Sequence, residues 1–216
     1  AAGNRQRERK HRLLARLACD VVRLRGRVVD DNLRHVFPDW TDRDRRDAAR
    51  QMWEHLFLMV CEIAHAPRKV HETNWRHYFQ FRGKREMVAM LLDPRPTIFV
   101  SGHFGNFELS SYMMGLLGFP TYAIARRLDN PYLDRYVNQF RSTNGQFILP
   151  KDGSSAQVDA VLRSGGVIAL LGDQSAGPKG CWVDFLGRPA SCHKAVALFT
   201  LVSEAPLVVA YGRRIG

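Results

Sequence analysis

Apolar positions along this chain change rhythm near residue 93. Before that point they recur at helical spacing, first at Leu13, Leu14, Leu17, Val21 and Leu24, then at Met52, Leu56, Met59, Val60 and Ile63. Both sets match the repeat of a helix with one apolar face. Thr41-Asp42 is a start signal ahead of the second helix, expected over Ala48 to Ile63, and Lys84 to Leu92 reads as a shorter one. Beyond residue 93 short β-rich runs take over, at Thr97 to Val100, Thr121 to Ile124, Phe147 to Leu149, Val167 to Leu171 and Leu207 to Tyr211. Helical patterns separate them at Tyr132 to Arg141, Ser155 to Arg163 and Ala195 to Ser203. Such alternation predicts an α/β sandwich with a largely parallel central sheet flanked by helices, preceded by an N-terminal helical segment. No internal repeat or low-complexity linker interrupts it. The expected organisation is one domain over 1–216, with 1–92 mainly helical and 93–216 forming the α/β core.

The first β-run ends in the most informative stretch, Val100-Ser101-Gly102-His103-Phe104-Gly105-Asn106-Phe107-Glu108-Leu109. His103 falls just past a strand's C-terminal end. Gly105-Asn106 can start a helix running through Leu109, Met113, Leu116 and Leu117, with Asn106 as its N-cap and Glu108 in its first turn. A carboxylate there is favoured by the positive end of the helix dipole. The pair reads as a catalytic base and its partner, meeting through a bend at Gly105 because five positions is not a same-face helical spacing. A zinc-binding H-E-x-x-H is excluded, since no second histidine follows on the helix. The simpler alternative is a loop histidine beside an ordinary first-turn charge. Arg126 and Asp173 also follow directly on predicted strands. Three segments thus deliver polar groups to the sheet edge where ligands of α/β folds collect.

The surrounding sequence resembles the bacterial lipid A biosynthesis acyltransferases, the lauroyl and myristoyl transferase family. The blocks that carry the resemblance are Asp31-Asn32-Leu33 followed by Phe37-Pro38, the Glu62 helix, the Gly102 to Leu109 stretch, Arg126 with Asp129-Asn130-Pro131, Arg141 near Gly145, Gly172-Asp173-Gln174, Gly180, Phe185-Leu186-Gly187 and Pro189-Ala190. Arg127, Leu186 and Lys194 depart from the family's usual residues. The resemblance implies a glycerolipid-acyltransferase-like fold and acyl transfer from a carrier thioester, on acyl carrier protein or CoA, to a hydroxyl of a lipid A precursor in lipopolysaccharide biosynthesis. No further cofactor and no metal are implied. His103 and Glu108 stand at the family's H-x4-D/E positions. The family's usual membrane-anchoring helix and C-terminal continuation are not matched here, so the chain is expected to be a piece of a longer protein acting at the cytoplasmic face of the inner membrane.

For that chemistry His103 serves as base and then acid, since imidazole titrates near neutrality, while Glu108 fixes its tautomer. Ser101 and Ser110 lie in no nucleophile elbow. Arg126 is the candidate for an acceptor phosphate or the oxyanion, with Asn106, Asn130 and Arg141 in support; the alternative for each arginine is a surface ion pair with Asp129 or Asp134. Asp173 and Gln174 either orient the acceptor or cap their loop. Met113, Met114, Leu116, Leu117 and Phe119 either line an acyl pocket or form plain core.

Composition adds one constraint, a formal net charge of +11 over 216 residues. Arg5, Arg7, Arg9, Lys10, Arg12, Arg16, Arg23, Arg25 and Arg27 load the first segment. A basic amphipathic helix suits an anionic membrane surface or an acidic carrier protein; the alternative is a solvated helix packed on the domain by its Leu/Val face. Nucleic acid is disfavoured, as the arginines are not interleaved with an aromatic platform or reading helix. Cys19, Cys61, Cys181 and Cys192 show no metal or disulfide-framework spacing. The competing functions are acyl transfer to another glycolipid or a glycerophospholipid, and non-catalytic binding to a membrane surface.

Overall fold

The computed structural model describes residues 12–143, 145–151 and 153–215. They divide into two compact units, one comprising the chain up to Ala64 together with Asp184–Arg188, the other His65–Val183 together with Pro189–Gly216.

In the first unit, a helical turn over residues 12–16 passes into a π-helical turn at Leu17–Val21. The expected packing of the Leu/Val face does not form. Ala15 and Ala18 are buried, whereas Leu13, Leu14, Leu17, Val21 and Leu24 are exposed, Val21 at 71%. The π turn holds an extra residue, so Leu24 after it is displaced from the α-helical face that Leu13 and Leu14 begin. Arg23 and Arg25 then adopt left-handed φ angles of 54° and 51°, which end the helix. Arg5, Arg7, Arg9 and Lys10 lie outside the described residues.

Helix α1 (Gly26–Val36) is followed by α2 (Asp42–Lys69), which starts six residues earlier than its apolar repeat suggests. The start is fixed by a reciprocal cap: the Asp44 N–H donates to Thr41 Oγ1 at 3.2 Å, and the Thr41 N–H donates to the Asp44 carboxylate at 2.9 Å. Arg45, only 6% exposed, ties α1 to α2 by donating to Asp30, Asp42 and the Trp40 carbonyl. Phe37 stacks on Trp40 with ring centroids 4.0 Å apart. Among the described residues no helix is long and apolar enough to cross a membrane.

The second unit is built on a parallel sheet. Helix α3 (Lys84–Leu91) precedes β1 (Thr97–Ser101), α4 (Phe107–Leu116), β2 (Thr121–Ala125), α5 (Pro131–Ser142), β3 (Gln146–Pro150), α6 (Ser155–Arg163) and β4 (Val167–Leu171). A hairpin, β5 (Cys181–Phe185) and β6 (Arg188–Cys192), comes before α7 (Ala195–Ser203) and β7 (Leu207–Val209). The five-stranded sheet has the order β3-β2-β4-β1-β7, with the pairs β1–β4, β1–β7, β2–β3 and β2–β4 all parallel. Every strand and helix expected after residue 93 is present, most within a residue of its expected bounds, and β7 ends two residues early. Ile98 and Ile168, both fully buried, meet Val158, Val161, Leu162, Leu149 and Ala205 in the core. Fully buried β-branched residues on adjacent central strands are what a sheet covered by helices requires.

The hairpin was not expected from the pattern of the sequence. Its two-residue turn is Leu186-Gly187, with φ angles of 54° and 76°. A left-handed leucine is an uncommon first turn residue, so the usual Asn-Gly or Asp-Gly signal is missing. Trp182 and Phe185 are 61% and 64% exposed.

Past β7 the backbone runs along the loop that holds His103. The Ala210 N–H donates to the Val100 carbonyl at 3.1 Å, and Tyr211 meets Phe104 edge to face at 5.5 Å. Gly105, at φ +61°, leaves no room for a side chain, since a Cβ there would lie 1.8 Å from the Gly212 carbonyl oxygen. We therefore expect Gly105→Ala to cost about 2–5 kcal/mol in urea unfolding, combining left-handed strain with overpacking. Gly118→Ala, at φ +85° with nothing within 4 Å of its Cβ, should cost only about 1–2 kcal/mol. Equal costs would show that the crossing segment does not press on the loop.

Candidate active site

Two neighbouring strands end together. In the β1–β4 register Ser101 lies opposite Leu171, and the Gly172 N–H donates to the Ser101 carbonyl at 2.9 Å. Gly102-His103 and Gly172-Asp173 therefore leave the sheet side by side. A Cβ on Gly102 would sit 2.9 Å from an Asp173 carboxylate oxygen, so the missing side chain gives the carboxylate access to the next residue. Asp173 uses both oxygens on His103. One accepts from the backbone N–H at 2.6 Å and the other lies 2.8 Å from Nδ1.

The structure thus places Asp173 at the imidazole, the position for which the family resemblance had suggested Glu108. Glu108 is 7% exposed and paired with Arg141, whose Nε donates to Oε2 at 3.0 Å and whose second guanidinium nitrogen donates to Oε1. The ion pair links the first turn of α4 to the last turn of α5. Arg141 thus takes the ion-pair alternative, but with Glu108 in place of Asp129 or Asp134.

An ionised carboxylate only accepts, so in the neutral imidazole the 2.8 Å contact places the proton on Nδ1 and leaves a lone pair on Nε2. Gln174 lies at that nitrogen, its amide nitrogen 3.3 Å away and donating. Phe107 packs edge to face on the ring with centroids 4.8 Å apart. Partial burial pushes the Asp173 carboxyl upward, but hydrogen bonds from the His103 ring and backbone outweigh it and hold the group below its ordinary value. The imidazole thus carries an anionic partner on one nitrogen and a displaceable amide on the other, the equipment of a general base.

The remaining predicted residues are distributed differently. Asn106 caps α4 as expected, accepting from the Leu109 N–H at 3.2 Å. Asn130 caps α5, accepting from the Tyr132 and Leu133 N–H groups. Arg126 does follow β2, yet its side chain is 73% exposed and pairs with Asp129 at 3.2 Å. Met113 and Met114 are buried. A sequence signal for the His103–Asp173 contact did exist. Two in-register strands each end in Gly followed by a titratable residue, at Gly102-His103 and Gly172-Asp173.

The family model for bacterial lipid A biosynthesis acyltransferases matches residues 3–214. The chain belongs to this family. Among curated members it is similar to the lipid A biosynthesis lauroyltransferase of Escherichia coli (strain K12), at 24% identity over 170 residues covering 77% of this chain and 53% of that protein. The chain thus spans about half the length of that relative. Family membership agrees with the resemblance carried by the Gly102 to Leu109 and Gly172-Asp173-Gln174 blocks.

The geometry separates two roles for carboxylates. Glu108→Ala and Arg141→Ala should each destabilise the fold by about 3–5 kcal/mol, because each strands a buried charge. The double replacement Glu108→Leu with Arg141→Met should recover most of the loss, giving a large coupling energy in a double-mutant cycle read by urea unfolding. Additive losses would mean that the pair is not the connection between α4 and α5.

Proposed function

We propose that this chain carries the acyl-transfer site of a lipid A acyltransferase, moving a fatty acyl group from a carrier thioester to a hydroxyl of a lipid A precursor. The supporting observation is the His103–Asp173 pair at the carboxyl ends of β1 and β4, in a chain of this family. The acceptor hydroxyl attacks the thioester carbonyl carbon while Nε2 of His103 removes its proton. Asp173 accepts the Nδ1–H bond and stabilises the imidazolium. Collapse of the tetrahedral intermediate breaks the C–S bond, and Nε2 returns the proton to the departing thiolate. No side-chain nucleophile is needed. Glu108 acts through structure, anchoring with Arg141 the helix that opens beside His103. Arg126 is our choice for an acceptor phosphate, because an exposed pair such as Arg126–Asp129 is worth little and is readily exchanged for a dianion. The donor on this reading is a thioester of acyl carrier protein or CoA.

The test is a transfer assay on a lipid A precursor, with the product's mass rising by one acyl group. His103→Ala and Asp173→Asn should each reduce turnover by at least about a hundredfold while leaving the unfolding transition in place. Unchanged rates in both variants, or acylation of lysophospholipid instead, would sink the assignment.

We further propose that the first segment docks on an anionic membrane surface at the cytoplasmic face of the inner membrane. This is favoured over a domain-packed helix because Leu13, Leu14, Leu17, Val21 and Leu24 are exposed beside Arg12, Arg16, Arg23, Arg25 and Arg27. Apolar insertion and attraction to anionic headgroups then act on the same stretch. Binding to anionic vesicles should weaken steeply with salt and on removing the residues before Gly26. Equal binding to neutral vesicles would exclude the electrostatic part.

A further inference from the structure

We propose that Gln174 is a gate on the catalytic base, occupying His103 Nε2 until the acceptor hydroxyl displaces it and thereby limiting hydrolysis of the donor thioester by water. The inference rests on the acyl-transfer reading and concerns how that site selects its nucleophile.

His103 is held by two contacts to its ring and one to its backbone. Its Nδ1 lies 2.8 Å from Asp173, its own backbone N–H is anchored to the same carboxylate at 2.6 Å, and Phe107 packs against the ring at 4.8 Å. The imidazole is therefore the fixed partner. Its one nitrogen with a free lone pair is met by the Gln174 amide at 3.3 Å. That is the position a hydroxyl must take for its proton to be removed, within hydrogen-bond reach of the base. Gln174 follows Asp173 on the loop after β4 and is exposed, so its side chain has room to swing aside while Asp173 stays in place. A contact of 3.3 Å is long for a hydrogen bond, which makes it cheap to exchange.

The selectivity comes from what each competitor brings. Water offers the base a single hydrogen bond, about equal to the one it must displace. A lipid acceptor brings binding energy from the rest of its body and spends part of it on moving the glutamine. Hydrolysis is then held back without slowing transfer in proportion, since the same base serves either nucleophile once the amide has left.

The test replaces Gln174 with Met, which keeps the length of the side chain but cannot donate, and with Ala, which removes it. Two readings are taken on the whole protein. The first is the rate at which an acylating electrophile, diethyl pyrocarbonate, modifies His103, located by peptide mass. The second is the ratio of donor-thioester hydrolysis without acceptor to transfer with saturating acceptor. Both should rise about two- to tenfold in Gln174→Met, the factor one neutral hydrogen bond represents, with an unchanged unfolding midpoint. The modification rate decides the gate, since it needs no turnover. An unchanged or slower rate at His103 in both variants overturns the gate even in a protein that transfers well. Faster modification in the variants of a protein that transfers no acyl group upholds the occupied lone pair and overturns the acyl-transfer reading instead. A merely structural Gln174 would lower the unfolding midpoint and leave the hydrolysis-to-transfer ratio unmoved.

Discussion

The arrangement of this protein depends on the register between β1 and β4. Parallel strands bonded in register must end together. Here the paired residues Ser101 and Leu171 are each followed by a glycine. The first glycine gives a carboxylate access that a side chain would block. A slip of one residue would turn the alternating side chains to the opposite faces and carry Asp173 away from His103. The buried Ile98 and Ile168, adjacent on these two strands, resist such a slip because it would drive apolar bulk out of the core. The packing that stabilises the sheet is therefore also what aligns His103 with Asp173.

Around that register the charged groups sort by burial. Glu108 is buried and Arg141 mostly so, their side chains 9% and 17% accessible, and they satisfy one another, so either alone would be a stranded charge. His103 and Asp173 are partly exposed, with side chains 36% and 46% accessible. There the carboxylate can hold a tautomer while the other nitrogen stays within reach of solvent or substrate. The difference explains why two acidic residues, each just past a strand end or in the helix that opens there, do different work. One is sealed into the joint between two helices, and the other stands at the sheet's open edge.

Most of the second unit was legible because its strands are short, apolar and punctuated by Gly and Pro. The run Val167 to Leu171 and the helices Ser155 to Arg163 and Ala195 to Ser203 are read from pattern alone with their observed bounds. The partner of His103 was not legible in the same way. Glu108 was chosen because it stands at the family's H-x4-D/E position, whereas the residue at the imidazole lies seventy positions on; the Gly172-Asp173 step that matches Gly102-His103 marks it only once the pairing of the two strands is known. The hairpin was hidden by Leu186 at a turn position that ordinarily takes Asn, Asp or Gly. The start of α2 was legible in the Thr41-Asp42 signal, although its first turns lie outside the apolar repeat. Asp42 to Asp47 is entirely charged, so the helix there is fixed by the Thr41–Asp44 cap and by Arg45 and not by an apolar repeat.

In the first segment the sequence left two surfaces open for one apolar face. A helical repeat of leucines tells that one face is apolar, but not which surface will cover it. In this chain those leucines are exposed on both sides of a π turn, two left-handed arginines end the helix, and two alanines take the buried positions. Alanine suffices where helices approach closely, and it releases the larger side chains for another contact. Exposed leucines beside a row of arginines cost solubility unless something apolar and anionic meets them. A bilayer surface has both properties, and under the proposed function it is also where a lipid acceptor would be met. The segment that a soluble domain would bury is thus, on this reading, spent on bringing the chain to its substrate.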